Sequence, residues 1–345
     1  MRLFATSIVL LALIHAGPVA GIQAQAPSAK TLEIYFIDVE GGQSTLVVSP
    51  TGESMLVDAG WAGFDGRDAA RIRAAMKAAR VTRIDYMLVT HYHADHVGGV
   101  APLASQVPIG TFIDHGATVE DSADPAYTTY LEARKKGKNL QAKPGDTIPV
   151  AGLKVTVVAS AGETIKTALA GAGQQNPLCA EYKPQPVDSS ENARSIGVVI
   201  AYGAFRMLDL GDLTWNVEHG LACPANLIGP VDLYLTTHHG NQQSGPPALV
   251  HAVSPRVAIQ NNGADKGGAP SAWHIVRNSP GLQDLWQLHT ANAGGHDANT
   301  ADKFIANLNE TTAHMIKVSA REDGSFTVTN TRTRLTKTYP PVGAR

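Results

Sequence analysis

Hydrophobic and polar positions alternate strictly soon after the start of the chain. Leu32, Ile34 and Phe36 are separated by Glu33 and Tyr35; Glu40-Gly41-Gly42 breaks the run, and Thr45-Leu46-Val47-Val48 resumes it. After the turn signal Ser49-Pro50-Thr51-Gly52, Met55-Leu56-Val57-Asp58 supplies a third segment, so a β-meander is predicted. From Asp68 the period lengthens: Ala69, Ile72, Met76 and Ala79 share one face, with Arg71, Arg73 and Lys77 off it, which predicts a helix. Residues 84–90 form a short apolar run that ends directly in His91-Tyr92-His93-Ala94-Asp95-His96, and Val97-Gly98-Gly99-Val100 leads toward a second helix.

The second half repeats this alternation of strand and helix. Strands are predicted at 154–159, at 232–237 ending in His238-His239-Gly240, and at Val257-Ala258-Ile259. A hairpin joins 197–205 to 206–210, a helix is expected at 301–308, and a closing hairpin turns at Asp323-Gly324. Residues 162–194 are rich in Gly, Gln, Pro and Ser with weak periodicity, the signature of a functional lid or a mobile insertion. Together these elements predict an α/β fold, a sandwich of two sheets flanked by helices.

The first residues read differently. Arg2, the apolar run Ile8-Val9-Leu10-Leu11-Ala12-Leu13-Ile14 and the small-x-small site Ala24-Gln25-Ala26 match a secretory signal peptide over residues 1–26. The apolar run is shorter than the roughly 20 residues needed to span a bilayer, so no transmembrane segment is expected after cleavage. Residues 27–345 are then one domain, with its core at about 31–310 and a C-terminal hairpin at about 314–335, located in the periplasm or secreted. In such a compartment Cys179 and Cys223 either close a disulfide or remain two thiols. A formal charge of −2 provides no basic field for a polyanion, which argues against nucleic acid as a partner.

The candidate chemistry lies in the histidines. His91, His93, Asp95 and His96 place four imidazole and carboxylate ligands within six residues, at the end of a predicted strand, where a turn aims them at one or two divalent ions. Asp209-Leu210-Gly211-Asp212 and Thr237-His238-His239-Gly240 end two further predicted strands. No Gly-x-Ser-x-Gly elbow or Walker loop is present, so serine hydrolase and P-loop chemistries have no support.

On these motifs the chain resembles the metallo-β-lactamase superfamily, with its His-x-His-x-Asp-His turn, later bridging Asp and final His. It is most similar to the hydrolase domain of ComEC-type competence proteins, through Phe36-Ile37-Asp38-Val39, Asp58-Ala59-Gly60, His238-His239-Gly240 and Pro255-Arg256-Val257-Ala258-Ile259. The resemblance implies a four-layer αββα sandwich and two divalent ions, Zn²⁺ first and Mn²⁺ as the alternative. His91 and His93 would hold one ion, Asp95 and His96 the other, and Asp212 would bridge them. His238, directly ending its strand, is the expected final ligand, which leaves His239 for substrate. His115 is the one candidate for the superfamily's additional His, as a ligand, a supporting contact or a substrate contact, and Asn192 is a candidate substrate contact. The chain departs from this branch at Asn241 and at Gly268-Ala269-Pro270, where a His tends to precede the Pro. Asp38 and Asp58 are read as loop organisers, and His219, His251, His274, His289, His296 and His314 as surface or capping residues.

The expected activity is therefore that of an exported metal-dependent hydrolase. A metal-bound hydroxide would attack a phosphoester or other ester bond of a small molecule or short polymer, with Asp95 orienting the nucleophile and receiving its proton. Opening of a β-lactam or lactone is the alternative within hydrolases, and a non-catalytic metal-binding module is the alternative outside them.

Overall fold

Leu32, Ile34 and Phe36 enter one buried layer and Tyr35, Ile37 and Val39 another, so the first strand is packed on both faces. The structure is a computed structural model that describes residues 30–343; the predicted signal peptide lies outside the described residues. In chain order the first half contains β1 (Leu32–Phe36), β2 (Thr45–Val48), β3 (Ser54–Val57), α1 (Arg67–Ala79), β4 (Ile84–Leu88), α2 (Ala94–Val97), α3 (Val100–Ala104), β5 (Ile109–Asp114), α4 (Pro125–Arg134) and β6 (Lys138–Gln141). The second half contains β7 (Thr147–Ile148), β8 (Lys154–Ser160), β9 (Glu163–Thr164), β10 (Gly197–Tyr202), β11 (Phe205–Asp209), α5 (Trp215–Ala222), β12 (Leu233–Leu235), α6 (Pro247–Val253), β13 (Val257–Gln260), α7 (Pro270–Arg277), β14 (Asp284–His289) and β15 (Ile305–Asn307). Three closing strands follow, β16 (Ile316–Ala320), β17 (Phe326–Asn330) and β18 (Thr336–Tyr339).

Two sheets result, ordered β18-β17-β16-β1-β2-β3-β4-β5-β6 and β15-β14-β13-β12-β11-β10-β8-β7, with β9 on β8. The predicted meander is present as antiparallel β1, β2 and β3, and the closing hairpin returns to pair β16 with β1, Ile34 opposite Val318. From β3 to β6 in the first sheet, and from β11 to β15 in the second, the pairing is parallel. Ile34, Val47 and Leu88 meet Val198, Leu233 and Trp286 between the sheets. The outer face of the first sheet packs Leu56 and Met87 on Ile72, Leu103 and Tyr130 of helices α1, α3 and α4. The outer face of the second packs Leu208 and Ala258 on Leu221, Leu249 and Val276 of α5, α6 and α7. The period of two along each strand thus feeds a central core and two flanking ones, and the layers run helix, sheet, sheet, helix.

Three expectations are corrected. Residues 301–308 are not a helix; a single turn at Asp302–Phe304 leads into β15, which pairs in parallel with β14. The exposed edge of β14 needs backbone partners, and Ala306 drops into the inter-sheet core, so tertiary pairing overrides local propensity. The C-terminal hairpin gains a third strand, β18, whose Tyr339 is buried and accepts a hydrogen bond from Trp286 Nε1 at 3.2 Å. The stretch 162–194 is pinned rather than loose. Cys179 and Cys223 form a disulfide with their Cα atoms 5.7 Å apart, Asn176 Nδ2 donates to the carbonyls of Ala222 and Ala248, and Tyr182 stacks on His219. Among the described residues no helix is long and apolar enough to cross a membrane.

Candidate metal centre

In open α/β sheets ligands collect outside the carboxyl ends of the strands. Here both sheets deliver polar residues to one such edge: Asp38 after β1, Asp58 after β3, the His91–His96 turn after β4, Asp209 to Asp212 at the end of β11, and His238 and His239 after β12. The backbone is bent to do so. Asp58, His238 and His239 all have positive φ, at 57°, 55° and 56°, a region that costs residues with a Cβ free energy and that persists where surrounding contacts enforce it.

Asp95 Oδ2, His96 Nε2, Asp212 Oδ2 and His239 Nε2 lie within 4.8 Å of one another, all on buried residues. His96 Nε2 is 3.2 Å from Asp95 Oδ2 and 3.3 Å from Asp212 Oδ2, and His239 Nε2 makes the same two approaches at the same distances. Burial alone would push both carboxyls up and both imidazoles down. The opposite charges win: His96 and His239 hold Asp95 and Asp212 well below the usual carboxylate range, while Asp212 and Asp95 raise both imidazoles. Two imidazoles thus face two carboxylates in a dry site.

A divalent cation would neutralise both carboxylates and take both Nε2 lone pairs as ligands, so the donor set fits a metal ion. One further atom supports the fit. Asp212 Oδ1 is buried without a hydrogen-bond partner, an expensive state for a carboxylate oxygen that a cation would relieve. His91 Nε2 and His93 Nδ1 stand 3.1 Å apart as a second pair of donors, and burial lowers His91 well below the usual imidazole range, which keeps it neutral as a ligand must be.

The remaining nitrogens are held from behind, as metal-binding histidines require. His96 Nδ1 is 2.7 Å from Asp58 Oδ2, and Asp58 also accepts from Thr90 N and Thr90 Oγ1. His91 Nδ1 lies 3.3 Å from Ser195 Oγ, which accepts from the Asp212 amide. His238 Nδ1 lies 3.2 Å from Ser244 Oγ, whose own hydroxyl donates to the Leu213 carbonyl. Asn261 Nδ2 lies 3.3 Å from His239 Nδ1, and Glu120 Oε1 lies 3.2 Å from His93 Nε2.

The structure thus gathers Asp95, His96, Asp212 and His239 into one group. His238 stands 3.5 Å from Asp212 Oδ2, outside the group of four. β12 ends at Leu235, and the left-handed turn that follows carries His239 toward that group. His115 is turned to a buried contact with Glu191, its Nε2 2.8 Å from Oε2, and Glu191 also accepts from Thr118 Oγ1 and the Val119 amide. Asn192 lies on the turn Glu191–Arg194 with its Oδ1 buried and unpartnered. His289, read as a surface residue, is fully buried between Asp38 and Glu40. Against burial, which lowers it, those carboxylates raise His289 to about 9. Sequence reasoning missed Lys266, whose Nζ contacts Asp95 Oδ2 and sits 4.8 Å over the Trp61 ring. Its one signal was a single cation in the glycine-rich run Gly263-Ala264-Asp265-Lys266-Gly267-Gly268.

Comparison with known proteins finds similarity over part of the chain. Residues 37–166 match the family model of the metallo-beta-lactamase superfamily. A ribonuclease Z of Methanopyrus kandleri is 29% identical over 120 residues, 33% of this chain and 38% of that protein. Hydroxyacylglutathione hydrolases of Acidiphilium cryptum and Erwinia tasmaniensis are 33% identical over 102 residues and 38% over 79, covering 29% and 23% of this chain and 35% and 26% of those proteins. The chain thus spans under two fifths of the length of these curated relatives. Among solved structures, the metallo-beta-lactamase fold protein YhfI of Bacillus subtilis aligns at a TM-score of 0.47 and 12% identity, over 75% of this chain and 96% of its own. The matched segment holds the His91–His96 turn, so over residues 37–166 the chain is similar to the metallo-beta-lactamase superfamily.

Proposed function

We propose that this protein is an exported hydrolase that depends on divalent metal ions, Zn²⁺ before Mn²⁺, and cleaves a phosphoester or other ester bond. The observation that carries this reading is the buried group Asp95, His96, Asp212 and His239, with an Asp212 oxygen that has no hydrogen-bond partner among the described residues. Asp95, His96 and His239 would hold one ion, His91 and His93 the other, and Asp212 would serve both, with His238 beside it. Ions in such a donor set activate water near neutral pH and polarise the oxygen of the scissile bond.

The chain's own residues supply the rest. Asp58, Ser195, Ser244, Asn261 and Glu120 keep the imidazoles aimed, so little reorganisation is needed on substrate binding. Asp95 is the carboxylate of the group that meets a partly exposed side chain, Lys266, and in this reading it would orient the attacking water and receive its proton. The pinned segment around Tyr182 and the disulfide covers α5, close to the Asn241–Gln243 turn, through Gln185 Nε2 to the Gln242 carbonyl.

The test is metal analysis of the purified chain together with turnover of bis-p-nitrophenyl phosphate. Two ions per chain, and loss of turnover on chelation or in Asp95→Ala with the fold retained, are expected. Activity unchanged by both treatments would overturn the metal mechanism. Turnover of a chromogenic cephalosporin or an acyl-homoserine lactone instead would move the substrate to cyclic amides or esters, and bound ions with no turnover of any of the three would leave a metal-binding module.

A further inference from the structure

Lys266 is exceptional among the cations near the centre, since it reaches a candidate ligand from the solvent side. Its side chain is 37% exposed, whereas that of Asp95 is 8% exposed, so the ammonium stands at the boundary between the dry group and water. An isolated surface lysine paired with a carboxylate stabilises little and is ordinarily unremarkable. Here the backbone around it is fixed. Lys266 closes a turn by accepting from the Gly263 amide at 2.9 Å, and Gly268 N and Ala269 N donate to the carbonyls of His239 and Gly240 at 2.9 Å each. The turn is thereby fastened to the segment that carries His239.

Opposite the turn, the Glu40-Gly41-Gly42 break leaves room for it. A Cβ on Gly41 would lie 2.8 Å from Lys266 Cβ, and one on Gly42 would lie 2.4 Å from the Asp95 carbonyl and 3.2 Å from Trp61 Nε1. Only residues without a side chain let Lys266, Trp61 and Asp95 meet there. The Trp61 face, 4.8 Å from Nζ, gives the ammonium a second support that does not depend on Asp95.

The crowding at Asp95 then decides what the lysine does. Its Oδ2 is approached by His96 Nε2, His239 Nε2 and Lys266 Nζ. A carboxylate oxygen offers two lone pairs, and an ion taken up at this oxygen uses one while turning both imidazoles from donors toward Asp95 into its co-ligands. Lys266 has no ligand role to exchange for its lost partner, and a divalent charge behind Asp95 repels it. Two such ions would outweigh Asp95, Asp212 and Asp58, so the loaded centre and the lysine together would carry net positive charge.

We infer that Lys266 is a substrate-binding residue that exchanges Asp95 for a non-bridging phosphoryl oxygen, making this a phosphoester site. The inference rests on the hydrolase reading above and names its substrate class.

Isothermal titration of inorganic phosphate into the zinc-loaded full chain tests it, beside KM and kcat for bis-p-nitrophenyl phosphate. Lys266→Met and Lys266→Gln should keep the wild-type number of bound ions and weaken phosphate binding about tenfold, the loss of one charge-assisted hydrogen bond. KM should rise by a similar factor with kcat little changed, and Lys266→Arg should restore most of both. Phosphate affinity equal to wild type in both neutral variants, or loss of bound metal in them, would overturn the inference. If wild-type protein binds ions and phosphate but turns over no phosphoester, the hydrolase reading fails, while the comparison of phosphate affinities still decides the role of Lys266.

Discussion

Asp58 and His96, 38 residues apart in the chain, meet at 2.7 Å with both side chains wholly buried. The carboxylate ends β3 in a left-handed conformation and is locked by two hydrogen bonds from Thr90, so it cannot follow the imidazole if that ring moves. It therefore dictates that Nδ1 faces the scaffold and Nε2 faces the metal group. Replacing Asp58 by Ala should lower metal affinity by about 10–100-fold, with Asn at the mild end of that range, as measured by competition with a chromogenic chelator. Affinity equal to wild type in Asp58→Ala would show that the ring is oriented by its other neighbours.

Glu218 gives the protein a pH dependence of its own. Its carboxyl is fully buried on α5, accepts from the Gly245 amide at 2.6 Å, and burial pushes it up to about 8. In the unfolded chain it would titrate near 4.5. The folded state thus binds more protons between these values, so its contribution to stability is full below about pH 4.5 and is lost as pH rises through about 8. Thermal melts across this window should show Tm falling with pH in wild-type protein and a flatter profile in Glu218→Gln, which keeps the acceptor for Gly245. Parallel profiles would assign the slope to other groups.

The disulfide closes a sequence separation of 44 residues and ties the 162–194 stretch to the end of α5. By the loop-entropy estimate, such a bridge contributes on the order of 4 kcal/mol. The double variant Cys179→Ser, Cys223→Ser should therefore melt several degrees lower and be cut first by trypsin near Lys183. Cleavage elsewhere first would mean that the contacts of Asn176 and Tyr182 hold the segment without the bridge.

Legibility in the sequence followed the range of the interactions. The meander, α1 and the β10–β11 hairpin are set by short-range alternation, and the His91–His96 turn by its density of ligands, so both could be read directly. β15 and β18 are short edge strands with no period of their own; they exist because β14 and β17 offer unpaired backbone, which no local pattern records. The site divides in the same way. Asp212 and the His238-His239 pair announce themselves at strand ends, whereas Lys266 meets Asp95 across 171 residues and His289 meets Asp38 across 251. Which member of the histidine pair turns inward depends on two left-handed residues, a backbone choice that neither hydropathy nor spacing encodes.

That choice leads to the most discriminating mutation. His239 Nε2 belongs to the four-atom group, 3.2 Å from His96 Nε2, while His238 Nε2 reaches only Asp212 Oδ2, at 3.5 Å, with its Nδ1 directed to Ser244. Burial lowers His238 below the usual imidazole range, whereas the carboxylates Asp212 and Asp95 raise His239. Removing it strips one imidazole from the group and leaves Asp95 and Asp212 with His96 as the imidazole between them. His239→Ala should therefore lose one bound ion per chain, while His238→Ala retains the ion held with Asp95 and His96. Elemental analysis of both variants after dialysis against buffered zinc distinguishes them. Loss of that ion in His238→Ala with retention in His239→Ala would return the ligand role to the residue nearer the strand.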